Sequence, residues 1–180
     1  MGLIMHIDSA SDGHHNLKRV GDRVIKTLAW PLWFMPQWYD SYKVLQGSNN
    51  YLVKVHSVSD DGLALEMEYL DILCNLEDLF EKEEYEHLFT KDIICEIMAA
   101  VSQTMLSDME YAQTLGDDLF FIHGDFTLSN MVLTKDMQVK VIDPDSYGFC
   151  HGMSESSKYF QTMTGLGFRT QRYYARIKLK

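Results

Sequence analysis

A short polar segment, HGDFTLSN (residues 123–130), separates two apolar runs of the chain. It contains the carboxylate of Asp125 and the amide of Asn130, and a second carboxylate, Asp143, follows in VKVIDPDS. A carboxylate can accept a proton from a reacting group. Carboxylate and amide oxygens are also the ligands that hard cations such as Mg²⁺ prefer. These residue types could therefore serve proton transfer and metal binding.

The helices around this segment are predicted from periodicity and capping. Apolar residues recur at three- and four-residue steps over residues 93–109 and predict a long helix. Thr90 can cap its N-terminus, and Gly116 can end it. Further helical segments are expected at residues 76–89, 154–164 and 169–180, with a break at residues 165–167.

The polar segment leads into a predicted β-hairpin. MVLT and QVKVI flank a turn at residues 135–136. Because a short hairpin brings its two ends together, Asp143 is expected in the same cleft as Asp125 and Asn130. Pro144 is expected to hold Asp143 in extended geometry and so to fix the direction of its side chain.

The first seventy residues are predicted to be mostly β with one helix. LKRV and RVIKTL flank the turn dipeptide Gly21-Asp22 and predict a hairpin within residues 17–28. A helix is expected at residues 37–46, ending at Gly47. Further strands are expected at residues 3–7, 51–58 and 63–70, the last two flanking a turn at residues 60–62.

Composition and charge limit the classes of protein to consider. The chain has 180 residues, enough for one domain or two small lobes. Its formal net charge of −10 argues against a general nucleic-acid binder. Residues 28–36, the most apolar stretch, contain Pro31 and are too short to cross a bilayer, and no signal peptide is expected. Cys74, Cys95 and Cys150 are widely spaced, which favours buried apolar roles in a reducing cytoplasm.

The order of long helix, polar loop, hairpin and aspartate resembles the catalytic core of the protein-kinase-like superfamily, in particular its aminoglycoside and choline phosphotransferase branch. In that branch the catalytic loop reads His-Gly-Asp, four residues, Asn. The resemblance implies an α+β, two-lobed protein-kinase-like fold. A small antiparallel β lobe with one helix (residues 1–70) would bind nucleotide, and a reduced, mainly helical lobe (residues 71–180) would be catalytic.

The resemblance also implies roles for the polar residues. Asp125 would orient the acceptor hydroxyl and accept its proton, and Asn130 and Asp143 would bind Mg²⁺. His123 would hold the loop by hydrogen bonds. Asp145 is interpreted as a turn residue that could reach the same ion.

SDGHHNLKRVGDRVIKT (residues 11–27) resembles the nucleotide-loop hairpin of the same superfamily. Lys26 would pair with the α and β phosphates of ATP, and a loop that includes Ser11, Gly13 and Asn16 would cover the phosphates.

Two further features of the nucleotide site follow from the same resemblance. Main chain from Glu68 to Leu70 would hydrogen-bond adenine. Asp40, with Gln37 as the alternative, would be the helix partner of Lys26.

The function implied is transfer of the γ-phosphate of ATP, with Mg²⁺, to a hydroxyl of a small molecule. Gly124, where protein kinases usually have arginine, favours a small-molecule acceptor. The alternative is an inactive pseudokinase that binds nucleotide or a partner, because the chain has few glycines in its nucleotide loop and a short acceptor region. Protein phosphorylation is a weaker third hypothesis, because no Ala-Pro-Glu motif follows Asp143. The sequence does not identify the acceptor.

An aromatic cluster follows the first hairpin. Packing between the lobes is the expected role, with a binding or homo-oligomer surface as the alternative. The cluster comprises Trp30, Trp33, Phe34, Trp38 and Tyr39.

Overall fold

The computed structural model describes residues 10–11, 16–32, 36–116, 119–151, 162, 165–167 and 169–171. Within these residues the chain is α+β, and its sheets are antiparallel, which confirms the predicted class. The predicted strand at 3–7, the predicted helix at 154–164 except for residue 162, and most of the predicted helix at 169–180 lie outside the described residues. None of the described helices is both long and apolar enough to cross a bilayer.

The N-terminal part is a five-stranded sheet of order β1-β2-β3-β5-β4. The strands are β1 (Ala10–Ser11), β2 (Asn16–Val20), β3 (Arg23–Thr27), β4 (Val55–Val58) and β5 (Ala64–Glu68). Gly21 has φ +65°, so the predicted turn between β2 and β3 uses the left-handed conformation that glycine adopts at little cost. Asp61 stabilises the β4–β5 turn by accepting hydrogen bonds from Ser59 and from the N–H of Leu63.

The predicted strand at 51–58 forms only in its second half. Val53 N–H donates to the carbonyl of Val141, and Val141 N–H donates to the carbonyl of Tyr51. Residues before β4 therefore pair with the C-terminal hairpin instead of extending β4. This pairing connects the two parts of the chain.

Helix α1 (Gln37–Ser48) buries one face with Trp38, Tyr42 and Leu45. It includes Gly47, where the sequence predicted its end, and the N–H of Asn49 donates to the carbonyl of Leu45 as the helix finishes. Trp38 stacks on Tyr42 with ring centroids 5.2 Å apart. Its indole N–H donates to the carbonyl of Tyr147 at 2.8 Å. Trp38 thus joins α1 to the C-terminal part, whereas Trp30 is 79% exposed.

Between residues 72 and 151, leaving aside residues 117–118, the C-terminal part contains two α-helices and two small sheets, of order β6-β8-β9 and β10-β7. Their elements are β6 (Ile72–Asn75), α2 (Leu76–Glu81), a 3₁₀ segment (Glu83–Leu88), α3 (Lys91–Leu115), β7 (Leu119–His123), β8 (Met131–Thr134), β9 (Val139–Val141) and β10 (Tyr147–His151). The β8–β9 hairpin was predicted, and the β7–β10 pair was not.

Helix α3 has the predicted bounds. The Thr90 hydroxyl accepts the N–H of Ile93 at 3.3 Å, and Gly116 has φ +72° at the C-terminal end. Ile97, Ala100 and Val101 are fully buried along its core face. The single helix expected at 76–89 is wrong, because Lys82 is extended (φ −95°, ψ 129°) and separates α2 from the 3₁₀ segment. The break expected at Gly165 to Gly167 is also wrong, since these residues are helical.

Candidate active site

Lys26, on the central strand β3, lies between two aspartates from the far end of the chain. Its ammonium donates to the Oδ1 atoms of Asp143 and Asp145, the second at 2.6 Å. The Lys26 side chain is only 7% exposed, and those of Asp145 and Asp143 are 11% and 30% exposed. A buried cation is thus held by two carboxylates that are themselves mostly buried.

Burial and neighbouring charges shift the pKa values of both Lys26 and Asp143. Burial by itself would lower the pKa of Lys26, but the charges of Asp145 and Asp143 outweigh burial and leave its pKa above the usual value. Burial by itself would raise the pKa of Asp143, but the Lys26 ammonium and the hydrogen bond from Ser146 outweigh it and leave its pKa below the usual range. Lys26 and Asp143 are therefore both charged at neutral pH.

The backbone of Asp143 differs from the prediction of extended geometry. It is left-handed, with φ 64° and ψ 54°. A following proline disfavours the right-handed helical region, but aspartate is one of the residues that tolerates the left-handed one. Ser146 stabilises this conformation, because its hydroxyl donates to Asp143 Oδ2 at 2.6 Å and its N–H donates to the Asp143 carbonyl at 3.0 Å.

Asp145 makes an ion pair with Lys26 that the sequence interpretation missed. Read as a turn residue, it does lie in a 3₁₀ turn, Pro144–Ser146, but its carboxylate is a direct partner of Lys26. The available signal was the Asp-Pro-Asp spacing, because a tight turn can direct two aspartates to the same cation.

His123 is buried at the end of β7 and holds the loop that follows. Its Nε2 is 3.0 Å from the carbonyl of Ile142, which can only accept, so Nε2 carries the proton. Nδ1 then accepts the N–H of Asp125 at 3.2 Å. Burial lowers the pKa of His123, and the Ile142 hydrogen bond and nearby aspartates offset this only in part. A neutral imidazole thus links the Asp125 loop to the segment before Asp143.

Asn130 fixes the side chain of Asp125. Its amide nitrogen donates to the Asp125 carbonyl and to Asp125 Oδ2, both at 2.9 Å. The main-chain carbonyl of Asn130 accepts the N–H of Ile142 at 2.9 Å. Both side-chain hydrogen bonds use the amide nitrogen, so the amide oxygen is the atom that a cation could bind.

Gly124 has a steric reason to be glycine. Its N–H donates to the carbonyl of Ser146 at 2.8 Å. A Cβ at this position would lie 3.1 Å from that same oxygen, closer than most real contacts. The Asp125 loop and the turn after Asp143 therefore approach each other closely at Gly124.

Asp40 is not the partner of Lys26, and this part of the prediction is wrong. Its side chain is 72% exposed and pairs with Lys43 at 3.1 Å, one turn along α1. The fallback, Gln37, is exposed at the start of the same helix. Lys26 is instead paired with Asp143 and Asp145, which follow β9.

The main chain expected to contact adenine is already partly engaged. Glu68 N–H donates to the carbonyl of Lys54 at 2.9 Å, and Tyr69 N–H donates to the carbonyl of Asp22 at 3.0 Å. The Glu68 carboxylate accepts the N–H of Lys54 at 2.8 Å. Of the three N–H groups from Glu68 to Leu70, that of Leu70 is left as the candidate for a base contact.

The expected phosphate loop is described only at its ends. Ser11 in β1 pairs with Asn16 in β2, and β2 is the strand adjacent to β3. Gly13 lies outside the described residues.

Beside the Asp125 loop is a pocket of about 430 Å³. It is lined by Glu77, Asp125, Phe126, Thr127, Leu128, Thr162, Gly165 and Arg169. Glu77 and Arg169 were not predicted at this site, because they come from distant segments of the chain.

The residues present are suited to Mg²⁺ only as part of a larger shell. Within the part of the chain that the structure describes, no three His, Cys, Asp or Glu side chains are grouped to hold a metal by themselves. Mg²⁺ in nucleotide sites is commonly bound by one or two carboxylates together with phosphate oxygens and waters. Asp143, Asp145 and the amide oxygen of Asn130 are donors of that kind.

Comparison with known proteins does not identify a family for this chain. No protein-family model matches the chain, and a search of curated proteins found no significant similarity.

Proposed function

We propose that the chain is an ATP- and Mg²⁺-dependent phosphotransferase that moves the γ-phosphate of ATP to a hydroxyl of a small molecule. Residues 1–70 would form a small nucleotide-binding lobe and residues 71–180 the catalytic lobe of a two-lobed, protein-kinase-like fold. The observation that carries the proposal is the Lys26–Asp143 ion pair, which joins side chains 117 positions apart. Ile142 and Ser146 hydrogen-bond the Asp125 loop to the segment of Asp143.

Asp125 would position the acceptor and take its proton. In the transfer, a bond forms between the acceptor oxygen and the γ-phosphorus, the bond from the γ-phosphorus to the β–γ bridging oxygen breaks, and the hydroxyl proton passes to Asp125. Asn130 holds one carboxylate oxygen of Asp125, so the other can face the acceptor. His123 would hold the loop as a neutral imidazole, through its hydrogen bonds with the Ile142 carbonyl and the Asp125 N–H.

Lys26, Asp143 and Asp145 would form the charged part of the nucleotide site. The ammonium of Lys26 would move from the carboxylates to phosphate oxygens, and the carboxylates would then bind the cation that accompanies ATP. Bound Mg²⁺ would supply neutralisation of charge on the transferring phosphoryl group.

The test separates binding from transfer. Asp125→Asn should retain ATP affinity in a fluorescent-nucleotide titration and lose transfer by about 10²- to 10⁴-fold. Asp143→Asn should weaken Mg-ATP binding itself. Asp136→Asn, in the exposed β8–β9 turn, is the matched control and should change neither. Transfer by Asp125→Asn at the parental rate would show that the assignment is wrong.

The second candidate is a pseudokinase, and a specific observation favours it. The two carboxylates that would bind a cation already hold Lys26, and two of the three N–H groups expected to meet adenine are bonded within the protein. Thermal stabilisation by Mg-ATP without turnover over a wide panel of hydroxyl acceptors would favour this function. Turnover with any member of the panel would exclude it.

A further inference from the structure

We infer that the pocket beside Asp125 binds a small hydroxylated zwitterion, with its anionic group at Arg169, its cationic group at Glu77 and its hydroxyl at Asp125. The inference rests on the proposed function, because it takes this pocket to be the acceptor site. It goes further by naming the charge pattern of the acceptor and two side chains that select it.

The position of the pocket links it to the chemistry. Its wall includes Asp125 and the residues that follow it, so a ligand in the pocket meets the proposed base directly. Thr162 also lines the pocket, and its hydroxyl donates to the carbonyl of Phe126 at 2.5 Å. A volume of about 430 Å³ lies within the usual range for small-molecule sites of about 300–1,000 Å³.

Glu77 and Arg169 form a loose ion pair in the same wall. Arg169 Nη2 is 3.6 Å from Glu77 Oε1 and 3.5 Å from Glu81 Oε1, at or beyond the limit of a hydrogen bond. Arg169 Nη1 is buried and has no hydrogen-bond partner among the described residues. The guanidinium therefore retains donor capacity that the described part of the protein does not use, and a buried unused donor is unfavourable.

The charges distinguish between classes of acceptor. An acceptor with only negative charge would meet Asp125 and Glu77 as well as Arg169. An acceptor with only positive charge would satisfy the carboxylates and leave the guanidinium donors unused. A zwitterion replaces the loose Glu77–Arg169 ion pair with two shorter ones, because its anionic group can accept from Arg169 while its cationic group donates to Glu77.

The experiment compares binding of matched ligands by calorimetry in the absence of nucleotide. Homoserine carries all three groups, 3-aminopropan-1-ol lacks the carboxylate, and 4-hydroxybutyrate lacks the amine. Homoserine is expected to bind about 10- to 100-fold more tightly than either analogue. Arg169→Gln should remove the advantage over the amino alcohol, and Glu77→Gln should remove the advantage over the hydroxy acid. Lys135→Gln, in an exposed ion pair with Asp71, is the control and should change neither ratio.

Thermal unfolding of each variant checks that the fold is intact, and Arg169→Lys provides a second variant that keeps the charge but not the planar fork. The inference is overturned if the amino alcohol binds as tightly as homoserine, or if no member of the panel binds at millimolar concentration. A binding preference for homoserine without transfer from Mg-ATP would uphold this inference and contradict the proposed function. Transfer to a different class of acceptor would uphold the function and overturn the inference.

Discussion

Replacing Lys26 by methionine tests the ion-pair cluster at the centre of the proposed site. Methionine has a similar length and is apolar, so Lys26→Met removes the charge with little change in volume. The substitution leaves Asp143 and Asp145 facing each other without their shared cation. Because both carboxylates approached the same ammonium, they remain close and repel each other.

The expected loss of stability follows from how deeply the cluster is buried. Removing one partner of a buried ion pair typically costs about 3–5 kcal/mol, because an uncompensated charge remains. The Asp143 side chain is 30% exposed, so water can solvate it in part, and the lower end applies. We expect a decrease of about 3 kcal/mol in the free energy of unfolding. For a chain of this size this corresponds to a decrease of about 6–12 °C in Tm.

Divalent cations should reduce the difference in stability between the parent and Lys26→Met. In the parent protein the Lys26 ammonium is bound to the carboxylates of Asp143 and Asp145. In Lys26→Met a divalent cation can bind these carboxylates without displacing an ammonium. Added Mn²⁺ should therefore stabilise the variant more than the parent, and electron paramagnetic resonance should detect Mn²⁺ bound to the variant alone. This readout needs neither nucleotide nor turnover.

Urea denaturation of the parent, Lys26→Met and the surface control Lys18→Met on β2 provides the measurement. The double variant Lys26→Met/Asp145→Asn should regain part of the loss, because it removes one of the two repelling charges. If Lys26→Met unfolds within about 0.5 kcal/mol of Lys18→Met, the ion-pair argument is refuted. If Mn²⁺ stabilises both proteins equally, the assignment of the two carboxylates as cation ligands is refuted.

Three further predictions concern the frame of the site. Burial lowers the pKa of His123 in the folded protein, so on acidification the imidazole is protonated in the unfolded chain at a higher pH than in the folded one. The free energy of unfolding should therefore decrease as pH falls below about 6.5, by at most about 1.4 kcal/mol per pH unit. Urea denaturation at pH 7.5 and 5.5 should show a smaller decrease in the free energy of unfolding for His123→Gln than for the parent. Gly124→Ala should cost about 1–3 kcal/mol through its contact with the Ser146 carbonyl, whereas Gly148→Ala, with no atom within 4 Å of the added carbon, should cost nothing in the same assay. Ile97→Ala should lower the free energy of unfolding by about 2–5 kcal/mol through a cavity beneath α3, and a loss under about 1 kcal/mol would contradict its placement in the core.

Much of the local structure was predictable because neighbours in sequence determine it. Gly21-Asp22 forces a turn wherever the flanking strands lie, and Thr90 can cap α3 with a hydrogen bond three residues away. The β8–β9 hairpin is similarly local. The polar loop could be proposed as a candidate site because the types of Asp125, Asn130 and Asp143 suit one kind of chemistry.

The tertiary structure decided what depends on distant segments. Residues 51–54 fit a strand by sequence, yet they pair with Val141 because the hairpin supplies hydrogen bonds there. Lys26 could have met Asp40 on α1 or the aspartates after β9, and only the packed chain selects Asp143 and Asp145. Glu77 and Arg169 come together in the same way. Sequence alone thus determined which groups could do the chemistry, because side-chain type is local. Which of them meet was decided by long-range packing, because an ion pair depends on distances that no local pattern encodes.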